Sequence, residues 1–216
     1  MRSAWMAIVM GMAMQAGVAW SQPAPHDLMA LPEELRTRLH DEVLDGRTGP
    51  HQRLERLGHF MFEPEGLGMT YREDANLSVA EAYDLRTGNC LTFTMLFVAL
   101  AREAGLDVAP QEIEAILALR QHDGTLFLSN HVNATVRVGA RRYVVDVAGD
   151  NVIARDAPAP ISDARLMSHY YNNLAVARLA QGDYAGGLAA VDIALTLAPD
   201  YANHWSNAGV LQLRSG

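Results

Sequence analysis

The sequence predicts an α+β protein: a cysteine-bearing helix packed on an antiparallel sheet, with helices before it and a helical repeat after it. Three observations carry this. Apolar residues at Phe93, Leu96, Phe97, Leu100, Ala101 and Ala104 recur at helical spacing behind the only cysteine, Cys90. Two alternating runs, 126–138 and 141–148, meet at Gly139-Ala140, which suits a tight turn between strands. Beyond a Pro-rich stretch at 155–163 the chain repeats itself with a period of 34 residues.

The N-terminus places an apolar run, 4–18, after Arg2, followed by Ala19-Trp20-Ser21. That is the form of a secretory signal peptide over residues 1–21, with cleavage expected near Ser21. The run is short for a membrane span, which needs about 20 apolar residues. No cysteine follows it that could carry a lipid. The expectation is an exported protein, periplasmic or secreted, with no integral span in the mature chain. Half of the residues are apolar, enough for a proper core, and the net charge is −8 with no lysine and no basic run. Such a chain is a poor binder of nucleic acid or anionic lipid. A lone cysteine in an exported protein cannot close an internal disulfide; it is a buried structural thiol, an intermolecular partner or a nucleophile. There is no HExxH, no zinc-type spacing and no glycine-rich phosphate loop. No metal and no cofactor is therefore expected.

Two helices open the folded part, at 31–46 and 50–62, and make up an N-terminal segment 22–62. Leu35, Leu39, Val43 and Leu44 stripe the first; Leu54, Leu57, Phe60 and Met61 stripe the second. A loop at 63–78 leads to a short helix at 78–83, where Ser78 and Glu81 fit a capping box. Gly88 and Asn89 suit the start of the next helix and Gly105 its end. Cys90 thus falls in a first turn, where unpaired N–H groups and the helix dipole favour a thiolate. The other reading of Cys90 is a small buried apolar residue at the start of a core helix.

A strand is expected at 108–119, with Ile113, Ala115 and Leu117 on one side, then a turn at Gln121-His122-Asp123-Gly124. If Gly139-Ala140 is a two-residue hairpin loop, Val138 faces Arg141 and the register of the whole pair follows. One face then carries Val132, Ala134, Val136 and Val138 against Tyr143, Val145 and Val147. The other carries His131, Asn133, Thr135 and Arg137 against Arg142, Val144, Asp146 and Ala148. A slip of one residue would mix these faces. Asp146 lies opposite Asn133 and diagonal to His131, at a backbone separation of about 7 Å that an imidazole–carboxylate hydrogen bond can span. An ordinary polar sheet face is the alternative.

After a linker at 156–167, residues 168–216 hold the repeat. Tyr171 and Trp205, Asn173 and Asn207, Ala175 and Gly209, and Leu179 and Leu213 are each 34 residues apart. With Leu174, Tyr184, Ala194, Leu197, Pro199 and a Gln181-Gly182-Asp183-Tyr184 turn, this resembles the tetratricopeptide repeat. Gly187 departs from the usual alanine. One repeat is complete and a second supplies its first helix. The segment reads as a peptide-binding groove or as a helical cap docked on the preceding domain, with Tyr171 and Trp205 each expected between paired helices.

A thiol at a helix start, then a His and an Asp on adjacent strands, is what a nucleophilic cysteine needs. Cys90 would attack a carbonyl, His131 would act as base and then acid, and Asp146 would fix the imidazole tautomer. The order resembles the transglutaminase-like superfamily of papain-type cysteine enzymes over residues 65–150, giving a domain at 63–155. The motifs are Gly88-Asn89-Cys90 opening a helix that ends Ala104-Gly105-Leu106, then His131-Val132-Asn133, then Val144-Val145-Asp146. The chain is most similar to exported bacterial proteins that join such a domain to tetratricopeptide repeats. Asn133 departs from the aromatic residue many members carry there. The Cys90 N–H is one oxyanion donor; Asn89, Gln111 and Tyr71 are candidates for the second. The resemblance implies a thiol acyl-transfer enzyme acting on an amide of a peptide or protein. Water as acceptor makes it a protease or amidase, and an amine makes it a cross-linker. The superfamily also implies a rival: a catalytically silent interaction module that recruits a protein partner through the repeat segment.

Overall fold

The computed structural model describes residues 22–46, 48–113, 119–122, 125–128, 131–147 and 157–216. The chain is α+β. A short 3₁₀ turn, Pro25–Asp27, leads into α1, Glu33–Glu42, and α2, Pro50–Phe62. α2 has the bounds its stripe predicts, with Pro50 at the first position, where its missing N–H costs nothing. α1 is shorter than expected, because the chain turns after Val43 towards Gly46 at φ +80°. Leu35, Leu39, Val43 and Leu57 are completely buried.

Two elements then set up the central helix. α3, Val79–Leu85, begins on a complete capping box: Ser78 Oγ accepts from the Glu81 N–H at 3.3 Å, and Glu81 Oε2 accepts from the Ser78 N–H at 2.8 Å. On either side of α3, β1, Thr70–Tyr71, pairs in parallel with β2, Thr87–Gly88. This two-residue ladder is too short to show any period in the sequence. α4, Cys90–Glu103, follows at once and ends where Gly105 turns at φ +70°. It is buried on all sides from Leu91 to Ala101, as befits the middle of a core. Leu57 and Met61 of α2 lie in the same core, as do Val132, Ala134 and Val136 of the sheet.

The sheet is built from β3, Asp107–Ile113, β6, His131–Val138, β7, Arg141–Val145, and β8, Ala159–Pro160, in the order β7-β6-β3-β8 and antiparallel throughout. β4, Leu119–His122, and β5, Thr125–Leu128, pair separately as a hairpin. The β6–β7 register is the predicted one, with Val138 opposite Arg141 and Ala134 opposite Val145. Three expectations are corrected. The single strand expected at 126–138 is two elements, β5 and β6. Gln121 and His122 are in β4, paired with Leu126 and Thr125, rather than in the turn. The stretch read as a linker, 156–167, contains β8 and the start of the next helix. Proline at a sheet edge forfeits no ladder bond, so a Pro-rich sequence can still form a strand there. The predicted signal peptide at 1–21, Ala115, Leu117, Asp123, Gly124 and Ala148 lie outside the described residues.

Three helices complete the chain: α5, Asp163–Ala180, α6, Tyr184–Leu197, and α7, Ala202–Ser215. Gly182 turns at φ +77°, and Asp183 caps α6 by accepting from the Gly186 N–H at 3.0 Å. Gly187 has a packing reason. A Cβ there would lie 2.6 Å from Leu211 Cδ2 and 3.3 Å from the Ala175 carbonyl, so the three helices close around a missing side chain. Tyr171 is completely buried and donates to the Pro23 carbonyl. Trp205 overturns its expectation: it is 58% exposed, its indole N–H bonded to the Pro199 carbonyl at 2.7 Å. Among the described residues no helix covers that side of α7.

The helical segment is fixed to the sheet by a buried polar network. Glu112, on β3, accepts from Arg165 at 2.8 and 3.1 Å and from His169 at 2.7 Å. The Arg165 guanidinium stacks 3.4 Å from the centre of the Tyr201 ring. His204, fully buried, meets Ser168 Oγ at 2.8 Å. Burial opposes the charge on Glu112, but His169 and Arg165 outweigh it and hold the carboxyl down to about 2. Desolvation, reinforced by the neighbouring His169 and Arg165, pushes His204 down to about 4, so it is neutral. Removing residues 202–216 takes away Leu211 and His204, both fully buried. At about 2–3 kcal/mol for one buried leucine and roughly 2–4 °C per kcal/mol, the melting temperature should fall by about 5–10 °C in a thermal melt. An unchanged melting temperature would show that α7 is dispensable to the fold.

Candidate active site

α4 places Cys90 at its first position, and the chain ahead of it is held by several independent bonds. Asn89 caps the helix, its Oδ1 accepting from the Thr92 N–H at 3.0 Å. The Asn89 N–H donates to the Ala75 carbonyl, and the Arg72 N–H donates to Gly88, at 3.0 and 2.9 Å. Thr92, completely buried, accepts from the Leu77 N–H at 2.9 Å and shares its hydroxyl proton between the Ala75 and Leu77 carbonyls. Gly88 is glycine for contact reasons, since a Cβ there would lie 2.5 Å from Thr92 Cγ2. The loop 72–77 is thus wrapped around the helix start.

Thr94 joins that helix start to the sheet. Its hydroxyl lies 2.8 Å from the Cys90 carbonyl and 3.2 Å from the Val132 carbonyl, next to His131. His131, first residue of β6, is 4% exposed. Its Nε2 is 2.7 Å from Asp146 Oδ2. That leaves Nδ1 unengaged by Asp146, and the Cys90 side chain is near enough to act on the ring's proton affinity. Burial alone would push His131 down. The hydrogen bond to Asp146, its charge and the nearby Cys90 side chain outweigh it and raise the imidazole to about 9. At neutral pH it is an imidazolium with both nitrogens donating. Cys90 is half-buried, open enough for a reagent to reach.

The structure therefore brings Cys90, His131 and Asp146 together. Asp146 follows the last residue of β7, at the continuation of the ladder that faces Asn133. The oxyanion candidates divide. The first N–H groups of an α-helix have no partner within the helix, which leaves the Cys90 N–H as a donor at the thiol itself. Asn89 is engaged as the cap. Gln111 is buried on β3 opposite Asn133, and Tyr71 is half-exposed opposite Gly88. Sequence reasoning missed Thr92 and Thr94, whose hydroxyls sit among the apolar residues of α4. It also gave Asn133 no role, although the register places it opposite Asp146; its Nδ2 donates to Asp146 Oδ2 at 2.9 Å.

A cleft of about 500 Å³ lies at the other end of α4, lined by Ala99, Arg102, Glu103 and Met167 among others. At 1.5 Å rise per residue, Arg102 is roughly 18 Å along the helix from Cys90. The cleft is separate from the thiol. Among the described residues no group of three or more His, Cys, Asp or Glu is placed to hold a metal ion, and no helix is long and apolar enough to cross a membrane. Comparisons with protein families, with curated proteins and with solved structures find no match to this chain.

Proposed function

We propose that this chain is a thiol acyl-transfer enzyme of the transglutaminase-like, papain-type class, exported, acting on an amide of a peptide or protein. One observation carries the reading: a single buried imidazole, His131, is hydrogen-bonded to Asp146 and lies within electrostatic reach of Cys90 at a helix start. In the reaction Cys90 Sγ bonds to the carbonyl carbon, and His131 holds the proton that the thiol has given up. His131 then passes that proton to the departing amine as the C–N bond breaks, leaving a thioester. Water or an amine, deprotonated by His131, releases the acyl group and restores the thiol. The Cys90 N–H, free of an intrahelical partner, would serve as an oxyanion donor. The helical segment fits a tetratricopeptide-type cap in its 34-residue period, its turn and its close packing at Gly187.

A peptide carrying an electrophilic ketone in place of its scissile amide tests this. It should modify Cys90 in the native protein near pH 7, as mapped by mass spectrometry, and Asp146→Asn should slow the labelling at least tenfold. Equal labelling of native and urea-unfolded protein would sink the enzyme reading. The second reading, an interaction module, draws on the exposed Trp205 and Leu213 of α7. It would then take over.

A further inference from the structure

We infer that Asn133 is a positioning residue of this site: its side-chain amide holds the Asp146 carboxylate where that carboxylate can orient His131. The inference rests on the thiol-enzyme reading above. It starts from where the sheet stops. The β6–β7 ladder ends at Ala134 opposite Val145, so Asp146 is the first residue beyond the backbone pairing. Nothing in the ladder fixes its χ1. Its side chain is 15% exposed, which gives the carboxylate a route to water. Two hydrogen bonds to one of its oxygens hold it towards the site. His131 Nε2 and Asn133 Nδ2 approach Oδ2 at 2.7 and 2.9 Å.

Asn133 is itself 2% exposed, and its Oδ1 meets no partner among the described residues. An unmatched buried amide oxygen carries an uncompensated desolvation cost. An apolar side chain, as favoured at a buried strand position, would avoid that cost. The residue is explained by what its other end does. The Nδ2 donor pins the carboxylate from inside the sheet, and a planar amide two residues from His131 on the same face is the right length for it. Its donor goes to Asp146, so Asn133 acts through that carboxylate.

The test follows the imidazole rather than stability. Resolve the His131 Cε1–H signal by NMR, identify it by its loss in His131→Gln, and titrate it in the native protein and in two variants. Asn133→Leu keeps the bulk and removes the donor. Asn133→Thr suits a strand and is too short to reach Asp146. The native midpoint should lie near 9. In both variants it should fall by about one unit, a tenfold loss of proton affinity, with the fold retained by circular dichroism. A residue with only a structural role would lower the melting temperature and leave the midpoint where it was; that result in either folded variant overturns the inference and leaves the enzyme reading standing. A native midpoint already near 6.5 would instead overturn the enzyme reading, and the inference with it.

Discussion

Alkylation of Cys90 by iodoacetamide should stay nearly level from pH 5 to pH 8 in the native protein, and His131→Ala should lose its reactivity at the acid end. The thiol-enzyme reading gives the reason: it pairs the sulfur with a buried imidazolium that also holds Asp146. Without His131 the reagent meets an isolated thiol. At pH 5 only about three in ten thousand ordinary cysteine side chains are ionised. A more basic thiolate is also a better nucleophile, with a Brønsted slope of about 0.4–0.5, and recovers part of the loss. The net expectation is a drop of at least about tenfold at pH 5 and a much smaller one at pH 8. Cys90→Ala gives the blank. Superimposable profiles for native protein and His131→Ala would show that the pair does not form. The same pair has a stability signature. His131 is raised in the fold, so its contribution is complete below about 6.5 and is lost as pH rises through about 9. The native melting temperature should decline across that window and that of His131→Ala should not.

Glu112→Gln is expected to be the most destabilising single substitution outside the site. It removes the charge that faces Arg165 and His169 while leaving both buried. Breaking a buried pair from one side costs about 3–5 kcal/mol. In a chain of this length that is a fall of roughly 10 °C or more in melting temperature. Combining it with Arg165→Met should recover part of the loss, because the unmatched guanidinium goes too. A fall of under about 2 °C would mean that the network is decoration. Acid should find the same region. Glu112 is depressed, so its contribution is present above about 4.5 and is lost as pH falls through about 2. His204 acts earlier. The unfolded chain takes up its proton near 6.5, whereas the fold refuses it until about 4, so stability drains across that interval.

Much of this architecture was legible because its signals are local. The stripe of α4 and its Asn89 cap, the bounds of α2, and the Ser78–Glu81 box each lie within one element. The hairpin register was legible for a further reason: two apolar faces agree on only one alignment of 132–138 with 141–147. That register alone put Asp146 beside His131. What escaped depends on partners far along the chain. Glu112 looked like the polar side of an alternating strand, and its ligands lie 53 and 57 residues away. β3 is buried on both sides at Gln111, Glu112 and Ile113, which alternation does not announce. Thr92 and Thr94 read as tolerated breaks in a helix until the loop 72–77 and β6 supply their acceptors. Trp205 failed because equivalence in a repeat promises burial only when the neighbouring helix is there.

β8 has one further consequence. A backbone alternates its hydrogen-bonding sides, so residues two apart look the same way. The Ile161 N–H points inward, to the Pro110 carbonyl. Ala159 therefore points inward with it, and the outward positions are Pro158 and Pro160, neither of which has an N–H. The β8 rim of the sheet presents carbonyls and no donors. A foreign strand seeking to extend the sheet would find half of its hydrogen bonds unavailable, and such edges resist intermolecular stacking. Two prolines that interrupt any reading of this stretch as a strand thus blunt the β8 edge of the four-stranded sheet.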